Sequence, residues 1–230
     1  LSGARLIQCS ARQAHWKGIN FKGAQLEHVD LTDSVLEGLV AEWSQFTDVH
    51  FERTQISGGR WDGAKLTRPI LQGVVGHNFS WANQDLSNVD LRNSTFTDVD
   101  MSGVNFTAAT LKNARLDGVL FEGANLNEAD LTLTSLRGAQ LSRVTAQRSK
   151  LNQTILNDAI LNEIDLSWAH GVDVDFSQSD MHSGKLKGSS WHTSNLSQLD
   201  LSNTDLSQVT FTQVNAKGIN LNGALISDAS

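Results

Sequence analysis

Residues 114–133 read Ala114-Arg115-Leu116-Asp117-Gly118, Val119-Leu120-Phe121-Glu122-Gly123, Ala124-Asn125-Leu126-Asn127-Glu128, Ala129-Asp130-Leu131-Thr132-Leu133, one five-residue phrase stated four times. A small residue comes first, an often polar residue second and a large apolar residue third. The last two positions are mostly polar or Gly. Followed outward in both directions, the phase holds from Leu1 to Ile226. The 230 residues divide into 46 pentapeptides, and 40 of the 46 centres are Leu, Phe, Trp, Met or Ile. The six exceptions, Ala11, Ala41, Gly76, Ala146, Gly171 and Ala216, are all small and uncharged.

Positions two apart on an extended chain share a face, so each centre and the small residue two before it point inward together. The residue between them points outward and is often Asp or Asn, as at Asp30, Asp90, Asp100, Asn125, Asp165 and Asp200. Two residues after the centre sit 14 of the 18 glycines, the place where a bend with positive φ would want them. A period of five fits neither a helix nor a long strand. It fits a short extended segment followed by a corner, each too short to bury its apolar face alone, so the segments must stack into a solenoid with interior ladders.

This pattern resembles the A(D/N)LXX motif of pentapeptide-repeat proteins over the whole chain. The resemblance implies an all-β fold, a right-handed quadrilateral parallel β-helix with four pentapeptides per turn and about eleven coils. Side-chain sizes favour four sides over three: neighbours twenty residues apart would set Gly171 beside Trp191, Ala41 beside Trp61 and Gly76 beside Phe96. Residues 1–230 then form a single domain, expected to be a fragment of a longer protein because the chain begins in mid-pattern. Its uncapped coil ends would be covered by flanking sequence or by end-to-end self-association. The interior should be filled by its own side chains, leaving no central cavity for a substrate.

Regularity falters twice. Around Gly76 the centre is missing a side chain while Phe79 takes a slot usually given to a small residue. Around Gly171 the centre is again Gly, with Trp168 at an outward or corner position. Compensation between ring and gap is the structural reading of both; an exposed Trp is also a common interface anchor. Pro69 falls in an inward slot, where a corner or kink would accommodate it. The single Cys9 excludes an internal disulfide and reads as a small buried residue.

No catalytic constellation is visible. The seven His residues are scattered off the inward positions, the glycines are spaced by fives rather than forming a phosphate loop, and no strand-turn-helix context surrounds a nucleophile. The reading is a non-enzymatic chain with no cofactor and no metal. A net charge of -7 disfavours direct nucleic-acid binding, and no apolar run is long enough to span a membrane. Charge is uneven: residues 1–80 hold eight basic and eight acidic residues, whereas residues 151–216 hold Lys185 and Lys187 against eight carboxylates, a net of -6. Glu163, Asp165, Trp168, Asp173, Asp175 and Asp180 are therefore the candidate partner-binding residues.

The expected role is a rigid scaffold or protein-protein interaction module. The resemblance implies bacterial settings, in the cytoplasm or as part of an effector or secretion-system protein. It also implies an alternative: some family members, the quinolone-resistance proteins among them, are acidic rods that mimic DNA and bind type II topoisomerases. Those rods usually dimerise through a C-terminal helical segment and some carry projecting loops; here the repeat runs to Ile226 without either.

Overall fold

The computed structural model describes residues 1–230 as a stack of square turns with no helix. Every strand pair and isolated bridge is parallel and joins residues twenty apart, from Arg5↔Gln25 to Asp205↔Leu225. That register makes four pentapeptides one turn, the arrangement that the side-chain sizes favour. Four interior ladders result. The first runs through Leu6, Leu26 and Phe46, the second through Leu31 and Phe51, the third through Leu36 and Ile56, and the fourth through Phe21, Ala41 and Trp61. From Phe21 to Leu206 the centres are buried. The centres of the terminal turns are not: Leu1 is 58% exposed and Ile226 is 56% exposed. Cys9 corrects the sequence reading for the same reason. It occupies an inward slot, but in the first turn nothing lies below it and it is exposed.

All 46 corners place the second residue after the centre at positive φ, and only 14 of these residues are Gly. The left-handed conformation costs an L-residue roughly 1 kcal/mol or more, so the remaining corners are held by what surrounds them. The corner amide donates upward to the next turn, as Gln13 N does to Thr32 O (3.0 Å) and Arg143 N to Asn162 O (2.8 Å).

Two kinds of corner occur. In one, the amide three residues beyond the centre folds back onto the centre's carbonyl, as Ala24 N does to Phe21 O (2.7 Å). In the other that bond is absent. Residues 1–80 alternate the two strictly, and Cys9, Ile19, Val29, Leu39, Val49, Gly59 and Phe79 follow open corners with amides that find no backbone acceptor. Pro69 takes one of these places, so its missing N–H forfeits no bond. Beyond Trp81 nearly every corner is closed, the open ones preceding Val99, Val174, Ser194, Val214 and Ala229.

The stack is interrupted once. The amides of Trp61, Gly63, Leu66, Arg68 and Leu71 should donate to the turn above, yet none has a backbone acceptor. Twenty residues later Trp81, Asn83, Leu86, Asn88 and Leu91 donate to Asp100, Ser102, Asn105, Thr107 and Thr110 as the pattern demands. The amides of Ser80, Asp85 and Asp90 likewise make no bond downward. A lateral cleft of about 1250 Å³ separates the two lips, residues 59–70 and 80–90. It departs from the unbroken interior that the repeat suggests. The ladder closes again at Gly73, whose N donates to Arg92 O (2.9 Å).

Crowding explains the gap. Trp61 and Trp81 are consecutive centres of the fourth ladder, edge-to-face at 5.9 Å, and Phe79 lies 6.0 Å from Trp61 and 5.0 Å from Trp81. Such ring pairs sit about 4.5–7 Å apart between centroids, and the 5.9 Å between Trp61 and Trp81 exceeds the about 4.8 Å between hydrogen-bonded rungs. Gly76 relieves only part of this, because its missing side chain is filled by Phe96 and Phe79. Both indole nitrogens, Trp61 Nε1 and Trp81 Nε1, are buried without a partner. Ala64 O, which a regular rung would give to the Asp85 amide, accepts instead from Gln84 Nε2 at 2.7 Å.

Candidate interaction surface

The outward Asp and Asn residues do a structural job first. Placed just before the centre, each accepts from the backbone amide two residues on: Asp165 from Ser167 (3.0 Å), Asp175 from Ser177 (3.0 Å), Asp180 from His182 (3.2 Å) and Asp200 from Ser202 (2.8 Å). This side-chain turn ties the outward residue across the corner it precedes. Part of the acidity of the C-terminal half is therefore a consequence of how its corners are built.

At Asp165, Asp200 and Asp205 the net shift of the carboxyl pKa is downward. At Asp205 the hydroxyl and then the amide of Ser207 hold the pKa below its usual value, against opposition from burial. At Asp165 burial is the largest influence and raises the pKa. Hydrogen bonds from Ser167 and Gln147 outweigh it, and the net shift is downward. These groups stay ionised at neutral pH.

The six residues singled out from the sequence do not converge. Glu163 is at a corner, Asp165 on the first side, Trp168 at the next corner, Asp173 at the corner after that, Asp175 on the third side and Asp180 on the fourth, most of a full turn around the rod. No flat partner can touch all of them. Asp180 does pair in register with Asp200, with His182 Nδ1 2.8 Å from the Asp180 carboxylate, and Glu163 borders the same side through its amide bond to His182 O. No group of three or more His, Cys, Asp or Glu side chains is arranged to hold a metal ion. No helix is long and apolar enough to cross a membrane.

Charge pairing differs sharply along the rod. Below residue 70 cations bridge successive turns: Arg53 Nε to Asp33 (2.6 Å), Arg68 to Asp48 (2.6 Å), and Lys22 and Arg60 both to Glu42 (2.7 Å each). Beyond residue 150 the one ion pair is His182 with Asp180. The carboxylates there face solvent or neutral donors.

Trp168 sits on its corner 49% exposed, and its ring lies over Gly188, where an added Cβ would collide with it. The companion that sequence reasoning missed is Trp43, 67% exposed, which covers Gly63 on a different corner in the same way. The signal was available as a Gly twenty residues after each Trp. Trp168 therefore does not fill the space left at Gly171; Trp191 and Val174 do.

Two family models match the chain. One described as a pentapeptide repeat region covers residues 77–145, and one described as pentapeptide repeats (8 copies) covers residues 1–38 and 194–228. A search of curated proteins found no match. Among solved structures, HetL of the cyanobacterium Nostoc sp., a pentapeptide-repeat protein involved in heterocyst differentiation regulation, is 20% identical. That match covers 99% of this chain and 91% of HetL with a TM-score of 0.29. QnrB1, a plasmid-mediated fluoroquinolone resistance protein, is 17% identical over 97% of this chain and 93% of its own, with a TM-score of 0.31. The A-module of the Azotobacter vinelandii mannuronan C-5 epimerase AlgE4 is 8% identical over 94% of this chain and 78% of its own, with a TM-score of 0.44. The assignment rests on the repeat models and on the twenty-residue register rather than on these superpositions: the chain belongs to the pentapeptide-repeat family.

Proposed function

We propose that the chain is a non-enzymatic protein-interaction module, a scaffold rod that presents side chains on fixed outward positions to a protein partner. The observation that carries the reading is the pair of corner tryptophans, Trp43 and Trp168, each held over a Gly yet left 67% and 49% exposed, respectively. A ring positioned by its neighbour loses little freedom on docking, and Trp is enriched among residues that dominate interface energies. The rod interior is occupied by its own ladders, and outward Asp and Asn side chains such as Asp165 and Asp200 are engaged in corner bonds rather than directed at a common point.

Affinity capture with the intact rod, with Trp43→Ala and Trp168→Ala, and with the set Asp165, Asp173, Asp175 and Asp180 changed to Asn tests this. A partner whose direct binding weakens at least tenfold with one Trp variant supports the reading and locates the face. A partner that binds all variants equally removes the tryptophans, and unchanged binding to the Asn set removes the acidic end.

The carboxylates beyond residue 150 that lack basic partners favour a second reading, in which that half imitates the charge of DNA and occupies a type II topoisomerase. A gyrase supercoiling and quinolone-protection assay decides it. No effect at micromolar protein ends that reading.

A further inference from the structure

We infer that the rod is two stiff bodies joined by a hinge at the cleft between residues 59–70 and 80–90. The five-stranded sheet His15–Lys17, Val35–Glu37, Gln55–Ser57, Val75–Ser80 and Thr95–Asp100 runs up the third side without a break. The four-stranded sheet on the first side ends at Lys65–Thr67, at the lower lip. The fourth side, the first side and the start of the second side thus have no backbone bonds across the gap, while the third side keeps its full ladder. That asymmetry defines an axis along the third side and an opening opposite it.

What holds the open sides together is non-directional or singular. Trp61, Phe79 and Trp81 touch across the gap, and one side-chain bond, Gln84 Nε2 to Ala64 O, spans it. Ring contact tolerates rotation that a rung of aligned hydrogen bonds does not. The same rings occupy the interior of the gap, so it is a joint and not a groove for a guest strand. Arg68 remains tied to Asp48 on the lower body, and Asp85 accepts from Asn105 Nδ2 on the upper one (2.9 Å). Neither ion pair nor polar side-chain contact on those residues crosses the gap.

Pulsed electron spin resonance on the whole chain, with Cys9 changed to Ser, tests the axis. Label pairs at Gln25 and Asn125 on the first side, and at Val35 and Ser135 on the third, each span five turns and the gap. A third pair at Asn105 and Asp205 spans five turns above it. The hinge requires a distance distribution for the first pair at least twice as wide as for either of the others, narrowing when Trp81→Leu relieves the crowding. Three distributions of equal width would overturn it. Hydrogen exchange gives an independent reading. The amides of Trp61, Gly63, Leu66, Arg68 and Leu71 should exchange at least a hundredfold faster than those of Trp81, Asn83, Leu86, Asn88 and Leu91; equal protection would mean that the rungs are closed and the hinge absent.

Discussion

Gly76 and Gly171 look alike in sequence, a centre without a side chain one turn below an aromatic ring, yet the rod treats them differently. At Gly171 the exchange is balanced: Trp191 leans into the vacant space, its Nε1 donates to Ser189 Oγ at 2.9 Å, and the strands His170–Val172, Ser190–His192 and Thr210–Thr212 stack in register. Near Gly76 one vacancy faces Phe96 and Phe79, and the neighbouring ladder stacks Trp81 directly on Trp61. A gap therefore compensates a ring only when no second ring competes for the same rung spacing. Close packing tolerates local exchange of volume between adjacent turns and not a surplus carried by both.

The comparison can be broken at its strongest point first. Trp191→Ala removes a fully used ring from a closed ladder and should cost about 3–5 kcal/mol in denaturant unfolding. Trp81→Leu removes a comparable ring from a crowded one and should cost less than half as much, because rungs can then close. Equal losses would refute crowding as the cause of the cleft. Gly188→Ala drives a Cβ against the Trp168 ring and adds the strain of positive φ, a loss of roughly 1–3 kcal/mol. The same change at Gly138, also at positive φ but with nothing within 4 Å, should show only the backbone part. Gln84→Ala removes the single polar tie across the cleft and should cost about 1 kcal/mol. It should also accelerate exchange at the lips.

The smallest expected effect is one of pH. Asp165, Asp200 and Asp205 have folded pKa values below their usual ones, so the unfolded chain takes up protons first as pH falls. Their stabilisation is complete above the unfolded value of about 3.9 and is lost as pH drops through the folded values. Tm measured from pH 6 to pH 2.5 should fall below about pH 4. Asp205→Asn keeps the acceptor oxygen of the corner but not its charge, so it should flatten that acid limb and lower Tm slightly at neutral pH.

The ladders, the four sides and the neighbours of Gly76 and Gly171 were legible because each depends on one residue and the residue twenty away. The cleft was not, although its parts were in view: Trp61 and Trp81 are twenty apart, and Gln84 sits in a slot meant for Ala, Ser or Val. It arises from a sum of volumes over two turns, which no single pentapeptide states. The alternation of open and closed corners in residues 1–80 escaped for another reason. Both kinds share positive φ at the same position, and Val follows either, as at Val49 and Val89. The candidate residues drawn from the charge imbalance lie around the perimeter, because net charge carries no information about sides.

The strict register has a consequence for recognition. Each outward residue has a fixed neighbour above and below, so the surface is a grid whose rows are turns and whose columns are the places along each side. Along the rod axis its spacing is quantised at about 4.8 Å, and a column can be rewritten, one row at a time, without disturbing the ladder behind it. A partner that reads this surface must carry contact groups at multiples of that interval, and on either side of residues 60–90 it meets two such rulers whose zeros need not align.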